Sequence, residues 1–181
     1  MAKLTLKDGD ELNYQVLGKG PPLLLVSGLG GVGAFWKDHV PAFAAQFTVV
    51  LHDHRGTGQS SPSQIDYSVG QMADDLLQLM DHLQLARADL IGHSTGGAIG
   101  QTLAIDQPER IGKLVLSATW SAADDYFKRL FQVRADILLA GGVEAYVRSH
   151  AVFMFPPHWV RDKLSTMLSG EKDAVATFPT P

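Results

Sequence analysis

The sequence predicts an α/β fold: a mostly parallel sheet with an antiparallel hairpin in front of it and a purely helical segment behind it. Two observations carry this prediction. Four short apolar runs bounded by Gly, Pro or polar residues lie between Leu23 and Ala118, and segments of helical period separate them. Ahead of the first run, Leu4 to Lys7 and Leu12 to Leu17 alternate on either side of Asp8-Gly9-Asp10, the pattern of a β-hairpin.

The four runs, Leu23 to Ser27, Phe47 to His52, Ala88 to Gly92 and Lys113 to Ala118, have strand length and read as buried parallel strands. Between them, helices are expected over Val40 to Gln46, over the amphipathic segment Val69 to Leu83, and over Gly96 to Asp106, which stops before Pro108. After Trp120 only helical patterns follow, at Ala122 to Leu139, Val143 to His150 and Pro157 to Ser169, with Gly141-Gly142 dividing the first two. The expected division is therefore a sheet-bearing core over residues 1–120 and a helical, lid-like segment over 121–181. No internal repeat or low-complexity segment interrupts this plan.

Composition narrows the function classes. The chain has 181 residues, 45% of them hydrophobic, which suits a globular protein with a sizeable core. The net charge of -4 comes without a basic stripe of the kind nucleic acid requires, and the seven histidines show no ligand spacing, so neither nucleic acid nor a metal is expected. There is no cysteine, no apolar signal region at Met1-Ala2-Lys3-Leu4-Thr5, and no apolar run of about 18 residues. The expectation is a soluble cytoplasmic protein that makes no use of a membrane.

The chemistry concentrates in Gly92-His93-Ser94-Thr95-Gly96-Gly97. Ser94 falls between a predicted strand and a predicted helix whose first residues are small, which is the context a nucleophile elbow needs: a serine in a strained turn, flanked by glycines that let strand and helix approach closely. The simpler alternative is a turn whose small residues serve packing alone. A histidine beside the serine in sequence points away across such an elbow, so His93 is read as a packed neighbour. A second motif, Gly28-Leu29-Gly30-Gly31-Val32-Gly33, satisfies G-x-G-x-x-G, with Asp53 about 20 residues on, and admits a dinucleotide-binding enzyme as a rival. Against that rival, His39-Val40-Pro41 interrupts the long helix the fingerprint requires. A third segment, Asp53-His54-Arg55-Gly56-Thr57-Gly58-Gln59-Ser60, is expected to be structural, with Arg55 paired to Asp53 or another carboxylate.

Taken together, "SGLGG" after one strand, "DHRGTGQS" after the next and "GHSTGG" after the third resemble the α/β-hydrolase superfamily in order and spacing over about residues 12 to 120. The segments "FQVRADILLAGGVEAYV" and "FMFPPHWV" resemble the aminoacrylate hydrolase group and the related 3-oxoadipate enol-lactonases. The resemblance implies an α/β-hydrolase fold with a helical lid, Ser94 as nucleophile, and the backbone N–H groups of Leu29 and Thr95 as an oxyanion hole. It implies no cofactor. Triad partners in this fold follow the serine in chain order, acid and then histidine, after later strands. No such strand follows here, so the fold is expected to be incomplete at its C-terminal side. Asp124 and His158, the weak candidates for acid and base, lie at the start of the helical segment and inside it.

The function expected is hydrolysis of a small ester, lactone, amide or carbamate-like substrate through an acyl-serine, weak or absent in this chain if acid and histidine are missing. A non-catalytic binding or assembly module of the same fold is the alternative, and the dinucleotide-binding enzyme a more distant one. An uncapped sheet edge and the aromatic residues Phe127, Phe131, Phe153, Phe155 and Trp159 lead to the expectation of a homodimer or larger oligomer.

Overall fold

A computed structural model of the chain describes residues 2–176 and 178. The chain divides into two compact units, one ending at Ser121 and one beginning at Ala122.

The first unit is a six-stranded mixed sheet. Strands β1 (Ala2–Thr5) and β2 (Glu11–Leu17) form the antiparallel hairpin; β3 (Pro22–Val26), β4 (Thr48–His52), β5 (Ala88–His93) and β6 (Ile111–Ser117) follow, in the spatial order β1-β2-β4-β3-β5-β6. Strand β2 runs antiparallel to β4, with Tyr14 opposite His52, and β3, β4, β5 and β6 are parallel to one another. The hairpin begins two residues earlier than its apolar pattern suggested. Leu6 N–H bonds the Asp10 carbonyl at 2.8 Å, so Leu6 and Lys7 belong to the turn rather than to the strand.

Alternation along β3 and β4 sends side chains to two cores. Leu24, Val26 and Val50 pack with Leu12 and Leu90 against α2 (Val69–His82) and α3 (Thr95–Asp106), through Met72, Leu76, Leu79, Ile99 and Leu103. Leu23, Leu25, Val49 and Leu51 point the other way, onto Trp36 of a 3₁₀ turn (Gly33–Trp36) and onto α1 (Val40–Ala44). Each such leucine, fully withdrawn from water, contributes about 1.5–3 kcal/mol. Helix α2 is capped by Ser68, whose hydroxyl accepts from Gln71 N–H at 3.0 Å. Burial declines at β6, the sheet edge among the described residues, where Val115 and Leu116 stand about half exposed.

The second unit contains α4 (Asp125–Met154) and α5 (Pro157–Ala176). The predicted break at Gly141-Gly142 is a kink within α4: Gly142 has φ 74° and ψ -178°, a conformation open to a residue without Cβ. The helix starts at Asp125 rather than at Ala122 because Asp124 caps it, accepting from Phe127 N–H at 2.7 Å. Its aromatics pair within the unit: the Phe127 and Phe131 rings are 4.5 Å apart and Phe155 stacks on Trp159 at 4.0 Å. Among the described residues no helix is long and apolar enough to cross a membrane.

Candidate active site at the β5–α3 junction

Ser94 joins the end of β5 to the first turn of α3 with φ 54° and ψ -120°. A non-glycine residue there lies outside the populated wells and costs about 1–3 kcal/mol unless its surroundings enforce it. Here they do. Ser94 N–H donates to the Ser117 carbonyl on β6 at 2.9 Å, and the Ser94 carbonyl accepts from Thr119 Oγ1 at 2.6 Å and from Gly97 N–H at 2.9 Å. The flanking glycines make the turn sterically feasible. A Cβ on Gly92 would lie 2.6 Å from Gly97 N, and one on Gly96 would lie 2.7 Å from the Ser27 carbonyl oxygen, both inside contact distance with backbone that has no freedom to yield.

The glycine-rich loop between β3 and the 3₁₀ turn lies directly beside the serine. A Cβ on Gly28 would fall 3.2 Å from Ser94 Cβ and 3.6 Å from Ser94 Oγ. Leu29, next in the chain, is largely exposed, and Gly31 N–H closes a turn onto the Gly28 carbonyl at 3.0 Å. Thr95 is buried at the first position of α3, where backbone N–H groups have no partner within the helix and the helix dipole favours negative charge. The structure thus brings together three of the residues singled out from the sequence, Leu29, Ser94 and Thr95. Asp124 caps α4 and His158 is exposed in the first turn of α5, both in the second unit. His93 is held away along the sheet, its Nδ1 3.3 Å from Ser117 Oγ and its ring stacked on Phe35.

The loop after β4 is a buried polar framework. Asp53 accepts from Gly33 N–H, Gln59 N–H and Asn13 Nδ2 at 2.8–2.9 Å. A carboxylate so enclosed cannot serve a ribose at the protein surface, and the glycine loop is followed by one 3₁₀ turn and the five-residue α1, which removes the dinucleotide fingerprint. Arg55 pairs with acids other than Asp53: Nε and Nη2 donate to Asp75 at 3.0 and 2.6 Å, and Nη1 to Asp8 and Asp10. The Asp75 hydrogen bonds, with those of Asp10 and Asp8, raise its already high pKa despite burial. In the second unit, Arg134 donates to His150 Nε2 at 2.8 Å and to Tyr146 Oη at 2.9 Å. Burial, with the guanidinium beside it, lowers the His150 pKa.

A family model described as the alpha/beta hydrolase fold matches residues 21–166. The chain belongs to the α/β-hydrolase family. Among curated relatives, this α/β-hydrolase chain is 40% identical over 169 residues to the "Putative carbamate hydrolase RutD" of Azorhizobium caulinodans, an alignment covering 93% of this chain and 64% of the relative. It is also 40% identical to the protein of the same name in Caulobacter vibrioides, covering 99% of this chain and 68% of that one. The chain thus spans about two thirds of the length of these relatives. Among solved structures, the enol-lactonase from Burkholderia xenovorans LB400 superposes with a TM-score of 0.83 at 26% identity, covering 97% of this chain and 68% of the other.

The sequence had no signal for Thr119, which holds the Ser94 carbonyl from 25 residues away, or for the partners that pin the glycine loop. Both depend on register across the sheet rather than on a local pattern.

Proposed function

We propose that Ser94 is the nucleophile of an acyl-transfer site and that the backbone N–H groups of Thr95 and Leu29 receive the oxyanion of the tetrahedral intermediate. The observation that carries the reading is the strained Ser94 backbone at the strand–helix junction, with the glycine loop so close beside it that a Cβ on Gly28 would fall 3.2 Å from Ser94 Cβ. In this scheme Ser94 Oγ attacks the carbonyl carbon, the negative oxygen is held by preorganised N–H donors, and the leaving group departs to give an acyl-serine that water hydrolyses. The substrate class is a small ester, lactone, amide or carbamate. The carbamate hydrolase name of the relatives and the lactonase activity named for the structural neighbour support that range.

Activation of Ser94 needs a general base. Asp124 and His158 are the partners the chain itself offers, and the helices of the second unit are the proposed lid. Should neither partner serve, residual reactivity would rest on the oxyanion donors and on binding. The reading is tested by incubating the chain with a fluorophosphonate or a short p-nitrophenyl ester and locating the adduct by mass spectrometry. The expected adduct is on Ser94 and is lost in Ser94→Ala; labelling that persists in Ser94→Ala overturns the assignment, and a wild-type chain that binds ligands without acylation supports the non-catalytic module instead.

Self-association through β6 is proposed on one observation: an edge strand with half-exposed Val115 and Leu116. Sedimentation equilibrium tests it, and a monomer across micromolar concentrations rejects it.

A further inference from the structure

Two histidines that the acyl-transfer scheme does not use lie beneath the glycine loop. His52 ends β4 and His54 follows two residues later; they are 4% and 2% exposed, with ring centroids 4.9 Å apart and nearly perpendicular. His52 Nε2 is 3.2 Å from His54 Nδ1, and His54 Nε2 is 3.0 Å from the carbonyl oxygen of Ser27.

The proton positions follow from the partners. A carbonyl oxygen only accepts, so His54 Nε2 carries a hydrogen. Burial lowers the pKa of both imidazoles, with the neighbouring histidine adding to the effect at His52, so both rings are neutral near pH 7. Neutral His54 with its proton on Nε2 has a bare Nδ1, which must accept from His52 Nε2–H. The result is a one-directional relay, His52 to His54 to Ser27, ending on the backbone at the start of the loop.

The far end of the same loop is also tied to this residue. His54 backbone N–H donates to the Gly31 carbonyl at 3.1 Å, and Thr57 Oγ1 lies 3.0 Å from that oxygen and 2.8 Å from the His54 carbonyl oxygen. Ser27 and Gly31 bracket Gly28, Leu29 and Gly30, the segment beside Ser94. The side chain of His54 therefore anchors one end of the loop and its main chain the other.

We infer that His54, oriented by His52, is a positioning residue that sets the Ser27–Gly31 loop against Ser94 and so fixes where the Leu29 N–H points. The inference rests on the acyl-transfer reading for its consequence, but not for its geometry. Of the ties His54 makes to the two ends of the loop, the hydrogen bond to Ser27 depends on the imidazole, as does the bond from His52, whereas the main-chain bond to Gly31 survives any replacement other than proline. His54→Leu thus releases one end of the loop, while His54→Gln, whose amide nitrogen reaches about as far as Nε2, keeps a donor for Ser27.

The test uses the whole chain, labelled with ¹⁵N, in two parts. Ring spectra of the wild type should show His54 as the Nε2–H tautomer, with its signals shifting in His52→Leu. The Leu29 and Gly30 amide resonances should shift and exchange faster in His54→Leu and return towards wild type in His54→Gln. In parallel, the Ser94 acylation rate should fall at least about tenfold in His54→Leu and recover in His54→Gln, since misplacing a reacting group by about 1 Å can cost about 10²-fold. A folded His54→Leu chain with unmoved Leu29 and Gly30 amides overturns the inference, as does an Nδ1–H tautomer of His54. Wild-type chain that is never acylated defeats the acyl-transfer reading alone, and the amide resonances still decide the positioning role. If His54→Leu fails to fold, His54→Gln and the wild-type tautomer provide the decision.

Discussion

Replacing Arg55 by methionine should be among the most damaging changes to the first unit, and the structure indicates by how much. The Arg55 side chain is 1% exposed and its main partner, Asp75, is 5% exposed. Methionine fills much of the aliphatic space but leaves Asp75 buried with, among the described residues, only the 3.1 Å hydrogen bond from Gln71 Nε2. Stranding one partner of a buried ion pair costs about 3–5 kcal/mol, a large part of the roughly 5–15 kcal/mol that holds a domain together. Asp8, 46% exposed and also bound to Arg55, provides the internal control: Asp8→Asn should cost at most about 1 kcal/mol, because solvent already screens that pair. Replacing the buried pair together, Arg55→Met with Asp75→Leu, should recover most of the loss. Urea unfolding followed by tryptophan fluorescence in a Trp159→Phe background reports on Trp36 and Trp120 of this unit. With a slope of about 2 kcal/mol per molar urea, the midpoint of Arg55→Met should fall by about 2 M. A fall below about 0.5 M, or an equal fall for Asp8→Asn, would refute the view that this buried pair braces the hairpin turn, the post-β4 loop and α2.

Three further outcomes are expected. Gly96→Ala forces a Cβ against the main chain of Val26 and Ser27 and should cost about 1–3 kcal/mol by urea unfolding, while abolishing Ser94 labelling in whatever fraction stays folded. Folded His52 and His54 resist protonation while the unfolded chain takes up protons below about pH 6.5, so stability should be full above that pH and fall as pH drops towards 5, by up to about 1.4 kcal/mol per pH unit for each group; an unchanged urea midpoint between pH 7 and pH 5.5 would contradict this. Asp124→Ala removes the cap of α4 and should cost about 1 kcal/mol, seen as faster amide exchange over the first turn of that helix, with Phe127 N–H the most affected.

Short-range pattern carried much of this molecule. The glycines around Ser94 are read correctly from the sequence because the constraint they answer is local: a strand that turns at once into a helix has no room for a Cβ at Gly92 or Gly96, wherever the rest of the chain lies. The parallel strands were legible for a similar reason, since Leu23-Leu24-Leu25-Val26 and Val49-Val50-Leu51 are apolar on both faces, as burial between two helical layers demands. Element ends were less legible. The end of β1 and the start of α4 were each decided by a single hydrogen bond, Leu6 to Asp10 and Phe127 to Asp124, against a pattern that extended further.

Tertiary structure alone decided the polar interior. That Arg55 would choose Asp8, Asp10 and Asp75 over Asp53, two residues away, depends on the hairpin folding back along β4 and on α2 crossing beneath the loop. Likewise, nothing in the segment Asp53-His54-Arg55 foretells that His54 would reach the Ser27 carbonyl, because Ser27 becomes a neighbour only once β3 and β4 align in parallel register, Leu25 beside Leu51. Apolar periodicity reports which face of an element is buried, a property each residue carries alone. A hydrogen bond needs two groups within about 3 Å in the right orientation, and for residues far apart in sequence that condition exists only after the sheet has formed.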